Sequence, residues 1–288
     1  MTAPQTPAAL PAQSAPLSLH IQGVGPAVLR IGAVAGNTLR EAMRARLFYG
    51  ILAAAFALIL GSMLLSDLAL VDQKARLVQD FGLFFIPLLC VATAVLMGSV
   101  LLFKEIDRKT LYAILPKPIR RSEFLLGKFV GLCTLLLLEL TVLGLAWLGV
   151  LTLREGQVTS ALFAALGLHF VELVVVTAVA LFFSALSSPI LAGVFTIGVF
   201  VTGRVSYIIS ELLAWNKGVF VEVPAMRAIG KTLVKIVPDL STFSTADELL
   251  LGQQVSTEYI LAAVQYGGAW TVLFLVLAIV VFERRDLV

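Results

Sequence analysis

Long uninterrupted apolar runs alternate along the chain with short charged connectors, and six of the runs are long enough to cross a bilayer as helices. They are Leu47–Ser66, Phe81–Phe103, Phe129–Leu153, Ala161–Leu186, Pro189–Leu213 and Tyr259–Phe282. At about 1.5 Å of rise per residue, some 20 residues cover the ~30 Å hydrocarbon layer. The runs lack the period-two alternation of a membrane β-barrel. The fifth is the least regular, because Gly203, Arg204 and Ser206 interrupt it. The pattern predicts an all-α, polytopic membrane protein with six transmembrane helices and both termini on the inner side.

Between these runs the polar positions predict a few further elements. Residues 1–26 carry five prolines and neither a basic nor an apolar leader segment, so a disordered tail is expected there. In residues 27–46, Leu39, Met43 and Leu47 recur every four residues, while Arg40 and Arg44 share a neighbouring strip with Glu41. That pattern predicts an amphipathic helix in the headgroup layer, its arginines toward anionic lipid. Pro87 marks a possible kink in the second run, and Ser187-Ser188-Pro189 a tight hairpin between the fourth and fifth. In the polar segment 214–258, Met226, Ile229, Leu233 and Ile236 share one helical face and Arg227, Lys231 and Lys235 another, which predicts a second interfacial helix closed by Pro238. Thr245 and Glu248 have capping-box spacing ahead of a short helix.

Composition agrees with the pattern. The chain of 288 residues is 59% hydrophobic and 14% charged, with a mean hydropathy of +1.00; a soluble domain carries roughly 25% charged residues. Position makes the charges informative. With both termini inside, thirteen Lys and Arg fall on the inner side against three in the short outer loops, as the positive-inside rule requires. Topology therefore accounts for the basic excess, and a nucleic-acid-binding reading is disfavoured. Cys90 and Cys133 fall inside predicted spans and are not expected to pair.

The block between the second and third runs, residues 104–128, concentrates charge and proline on a loop held at the membrane surface by both ends. Glu105 and Asp107 leave the second run, Pro116 and Pro118 break the chain, and Arg121 and Glu123 precede the third, with Ser122 read as its N-cap. Lys109–Leu115 can form a short helix parallel to the membrane. The sequence Glu105, Thr110-Leu111, Leu115, Pro118, Arg121, Glu123, Gly127-Lys128 resembles the loop pattern of ABC-2 type transporter permeases, particularly those of multicopper-enzyme maturation and gliding-motility export systems. Lys109 stands where that pattern usually has glycine. The likeness extends to Leu39-Arg40, Arg44-Ala45-Arg46 and the terminal Phe282-Glu283-Arg284-Arg285-Asp286.

The resemblance implies that residues 27–288 are one ABC-2 transmembrane domain in a bacterial inner membrane. It implies a second permease copy, in a homodimer, and a separate ATP-binding subunit that holds ATP and Mg²⁺, while this chain binds no cofactor. Glu105, Asp107, Thr110, Leu111, Leu115, Pro118, Arg121, Glu123 and Lys128 would then couple the chain to that ATPase, and export of an amphiphilic or lipid-linked substrate is the expected activity. Gly230-Lys231-Thr232 ends like a phosphate-binding loop, but Ala225 stands where that loop needs glycine.

Four ionisable residues lie inside the predicted spans: Glu139, His169, Glu172 and Arg204. Each charge costs at least ~2.5 kcal/mol in lipid, so all four should face protein or water. Arg204 can pair with Glu172 or with Glu139, either along a substrate path or as interhelical glue. His169-x-x-Glu172 supplies two metal-ligand types on one face, short of a full set. A membrane-embedded enzyme or metal-handling protein using His169, Glu172 and Glu139 remains an alternative. An ion-coupled secondary transporter is another, although its internal repeat is not seen.

Overall fold

The computed structural model describes residues 24–69, 73–107, 120–154, 156–215, 224–244 and 255–284, without the side chains of 24–26, 101–107 and 224. Its described residues form eight α-helices and no strand: α1 (Val24–Met43), α2 (Arg46–Leu68), α3 (Lys74–Asp107), α4 (Arg121–Leu153), α5 (Ser160–Leu186), α6 (Pro189–Trp215), α7 (Pro224–Ile236) and α8 (Thr257–Arg284). Six of them, α2 to α6 and α8, are long and apolar enough to cross a membrane, as the apolar pattern predicts.

The interior is built on α3, α4 and α5, whose inward residues (Ile86, Val91, Leu136, Leu143, Trp147, Leu173) are almost fully buried. Around them α2, α6 and α8 turn apolar residues outward: Leu64 and Leu68, Ile190 and Val194, Leu261 and Val272 are all exposed. In water such a surface would aggregate; against acyl chains it is the expected exterior. Two helices begin well before their apolar runs. Val78, in the first turns of α3, is fully buried and its carbonyl accepts the Trp147 indole N–H at 2.9 Å. The start of α4 packs on α1. Packing beyond the hydrocarbon layer thus extends both helices past what hydropathy marks. Pro87 lies inside α3, which continues through it.

Three local expectations are corrected. The lead-in helix starts at Val24 and stops at Met43, so Leu47 belongs to α2 and cannot continue the Leu39–Met43 stripe. The face α1 buries is small-residued instead, through Ala35, Thr38 and Ala42. It meets Gly127 and Gly131 of α4, where an added Cβ would fall 2.6 Å from Val34 Cβ and 2.7 Å from the Ala35 carbonyl oxygen. Glycines four apart let two helix backbones approach closely. The N-cap of α4 is Arg120, not Ser122, because the Glu123 carboxylate reaches back three residues to accept the Arg120 N–H at 3.2 Å.

Between α6 and α8, α7 exposes its apolar row (Met226, Ile229, Ile236) together with Lys231 and Lys235, while Arg227 is half-buried. The chain then returns inward. Leu240 and Phe243 are fully buried, the Leu240 N–H donates to the Gly203 carbonyl at 3.1 Å, and the Asp239 N–H donates to Tyr266 Oη at 2.7 Å. Gly203 is therefore the seat of a returning segment rather than a break in α6. Of the expected tail 1–26, residues 24–26 are helical and belong to α1, while 1–23 and the Thr245–Glu248 pair lie outside the described residues.

Candidate functional site

Three groups of polar side chains are organised along the bundle. The first surrounds the start of α4, where the charged loop returns to the membrane. Arg30 of α1 grips Glu123 with two contacts, Nη2 to Oε1 at 2.6 Å and Nε to Oε2 at 2.8 Å. This hydrogen bond holds the Arg30 guanidinium above its ordinary value, so it stays charged. One turn on, Lys128 is 1% exposed, with its ammonium 3.5 Å from Glu41 Oε2 and 5.7 Å from the centroid of the Phe124 ring. Arg121 donates to the carbonyls of Phe282 (3.3 Å) and Glu283 (3.1 Å), the carbonyl-rich end of α8.

Of the nine loop residues singled out from sequence, Arg121, Glu123 and Lys128 thus clamp α1, α4 and α8 together. Thr110, Leu111, Leu115 and Pro118 lie outside the described residues, as do the side chains of Glu105 and Asp107, which end α3. Arg30 and Glu41 were not visible as site residues: Arg30 stands 93 positions from Glu123 and Glu41 stands 87 from Lys128. The one available signal was Gly127-x-x-x-Gly131 beside them. Reversing either Arg30→Glu or Glu123→Arg is expected to lower the melting temperature of the purified protein. The double exchange should recover most of the loss, because the two-pronged geometry can re-form with its ends swapped; an uncorrected double variant would refute the clamp.

The second group lies within the spans. Glu172 of α5 is fully buried and meets Arg204 of α6 twice, Nη2 donating to Oε2 at 2.8 Å and Nε standing 2.8 Å from Oε1 as an ion-pair contact without hydrogen-bond alignment. The guanidinium also lies 5.8 Å from the centroid of the Phe200 ring. His169 Nδ1 is 3.4 Å from Glu172 Oε2. Glu139 stands apart, accepting the Thr93 hydroxyl at 2.9 Å, with its second oxygen unpartnered among the described residues. Of the two pairings open to Arg204, the fold makes the one with Glu172. Among the described residues no three of His, Cys, Asp and Glu converge as a metal ion needs.

Arg204 also lines a membrane-facing groove of about 420 Å³ between α3 and α6, walled by Phe84, Leu88, Val201 and Val205 and shared with Asp80. The third group braces the opposite end of the bundle from the first. There Arg154, after α4, forks onto Asp67 of α2 at 2.5 and 2.9 Å, with the Lys74 ammonium 3.7 Å from the same carboxylate.

One end of the bundle carries a clamp at the start of α4, the middle an internal ion pair, and the side an apolar groove. A family model described as ABC-2 family transporter protein matches residues 32–287. No curated protein matches the chain.

Proposed function

The chain belongs to the ABC-2 transporter family, and from that premise we propose that it exports an amphiphilic or lipid-linked substrate across a bacterial inner membrane, driven by a separate ATP-binding subunit. Family membership makes it a multi-pass membrane permease, a transport subunit rather than the catalyst of ATP hydrolysis. The proposal adds the loop as the point of attachment: the partner holds ATP and Mg²⁺ and grips residues 104–120, and a second permease copy completes the transporter as a homodimer.

The clamp at the base of α4 carries this reading. A loop that is to pass force into a membrane domain has to be fixed at its return point. Here that point is tied to α1 by the Arg30–Glu123 fork and the Gly127/Gly131 contact, and to α8 by Arg121. A pull on the loop is then carried into α1, α4 and α8 together, and through α8 into α5, against which it packs. Packed elements with discrete arrangements transmit small displacements in this way. The groove between α3 and α6 suits a substrate with an apolar chain: its volume falls in the range of about 300–1,000 Å³ usual for small-molecule sites.

Substituting Glu105→Lys tests the coupling role. The ATP-binding partner should still co-purify and bind nucleotide, while export in cells falls to the level of a strain lacking this chain. Export at the normal rate would sink the proposal that this end of the loop is the motor's handle.

A further inference from the structure

α1 leans on α4 from Arg30 to Glu41 but touches α2 and α3 at only a few points. On that open side the α1–α2 elbow faces α3 across a cavity of about 590 Å³. Arg40 and Arg44, one helical turn apart and both exposed, line the cavity with Asn37, and neither guanidinium has a partner among the described residues. The remaining charged group, Glu41, is committed to Lys128 at 3.5 Å. The far wall is apolar, made by Leu47 (56% exposed) at the start of α2 and by Leu96 (39% exposed) and Val100 within α3. The cavity therefore joins two arginines, unpartnered among the described residues, to apolar walls near the start of α2.

We propose that this elbow cavity binds an anionic phospholipid of the adjoining leaflet, its phosphate between Arg40 and Arg44 and the start of its acyl chain against Leu47, Leu96 and Val100. The charge calls for an anion, and two arginines on successive turns can fork onto the oxygens of one phosphate. The walls select a lipid over free phosphate, since a free ion would leave Leu47 and Leu96 uncovered while an acyl chain covers them. Basic pockets between membrane helices bind lipid headgroups on this physical basis. The lipid fills the wedge that α1 leaves open and so ties the α1–α4 body to α2 and α3. The site does not depend on the loop being a motor's handle.

The test uses the full chain, purified and returned to nanodiscs of phosphatidylcholine alone or mixed with phosphatidylglycerol. Native mass spectrometry after detergent release is expected to show phosphatidylglycerol retained by the wild type. The Arg40→Gln/Arg44→Gln variant should bind it about 30-fold more weakly, and Arg44→Gln alone about fivefold more weakly, at the usual contribution of one basic residue near a charged membrane surface. Both side chains are exposed, so the circular-dichroism melting curve of the lipid-free protein in detergent should not move. A double variant that retains the lipid like the wild type overturns the site. So does an equal loss on Arg227→Gln/Lys231→Gln in α7, which would mark general charge attraction. Saturable binding of inorganic phosphate to the lipid-free protein, unaffected by phosphatidylglycerol vesicles, would reassign the cavity to a free anion.

Discussion

Truncating Glu172→Ala is expected to lower the stability of the folded bundle by about 3–5 kcal/mol, because it strands the Arg204 guanidinium between helices that face lipid. The pair crosses from α5 to α6, and Glu172 has no exposed surface through which water could take its place. Replacing both partners by methionine removes the charges together. Apolar residues of similar volume in place of a buried pair are often neutral or stabilising, so Arg204→Met/Glu172→Met should recover most of the loss. Unfolding in graded sodium dodecyl sulfate, followed by tryptophan fluorescence, measures the cycle. A double variant no better than Glu172→Ala would show that the two side chains act independently, contrary to the 2.8 Å contacts.

The same magnitude separates the two roles open to this pair. A latch that opens on every transport cycle would have to pay most of that cost each time, whereas switching equilibria are commonly tuned by about 1–3 kcal/mol. A brace that stays closed incurs no such penalty. We therefore take the pair as a brace between α5 and α6, and expect the methionine double variant to assemble and to export. Arg204 meets the groove with its exposed edge, while the charge that fixes it faces inward.

What the sequence revealed, and what it hid, follows from the range of each interaction. The six spans were readable because an unbroken apolar run of twenty-odd residues has few other uses, and the sharp hairpin at Ser187–Pro189 because proline suits a helix start. The α7 pattern survived for the same reason: its periodicity is local. The clamp was hidden because Arg30 and Glu123 belong to different helices, 93 residues apart. Arg30 read as one more inner-side positive charge. Gly203, Arg204 and Ser206 looked like flaws in a span when each is a contact point: for the Leu240 N–H, for Glu172, and for a tightly packed interior. Small and polar residues lower hydropathy whether they weaken a helix or join it to a neighbour, so composition alone does not separate the two.

Gly82 offers the sharpest test of how closely the central helices approach. A Cβ built on it would stand 1.9 Å from Trp147 Nε1 and 2.1 Å from Cε2, far inside van der Waals contact with the indole. Trp147 is 1% exposed and its N–H is committed to the Val78 carbonyl, so the ring has nowhere to yield without breaking that bond and opening a void in the α3–α4 interior. Overpacking a well-filled core costs about 1–3 kcal/mol, and a buried donor left without its acceptor adds about 1–3 kcal/mol. Gly82→Ala, a change of one methyl group, is therefore expected to destabilise the bundle by several kcal/mol and to shift the fluorescence of Trp147. Gly268→Ala in α8 is the control, since its Cβ would meet nothing within 4 Å and alanine is the better helix former by about 1 kcal/mol. Equal behaviour of the two variants in the same unfolding assay would mean that α3 and α4 do not approach each other as closely as these contacts require.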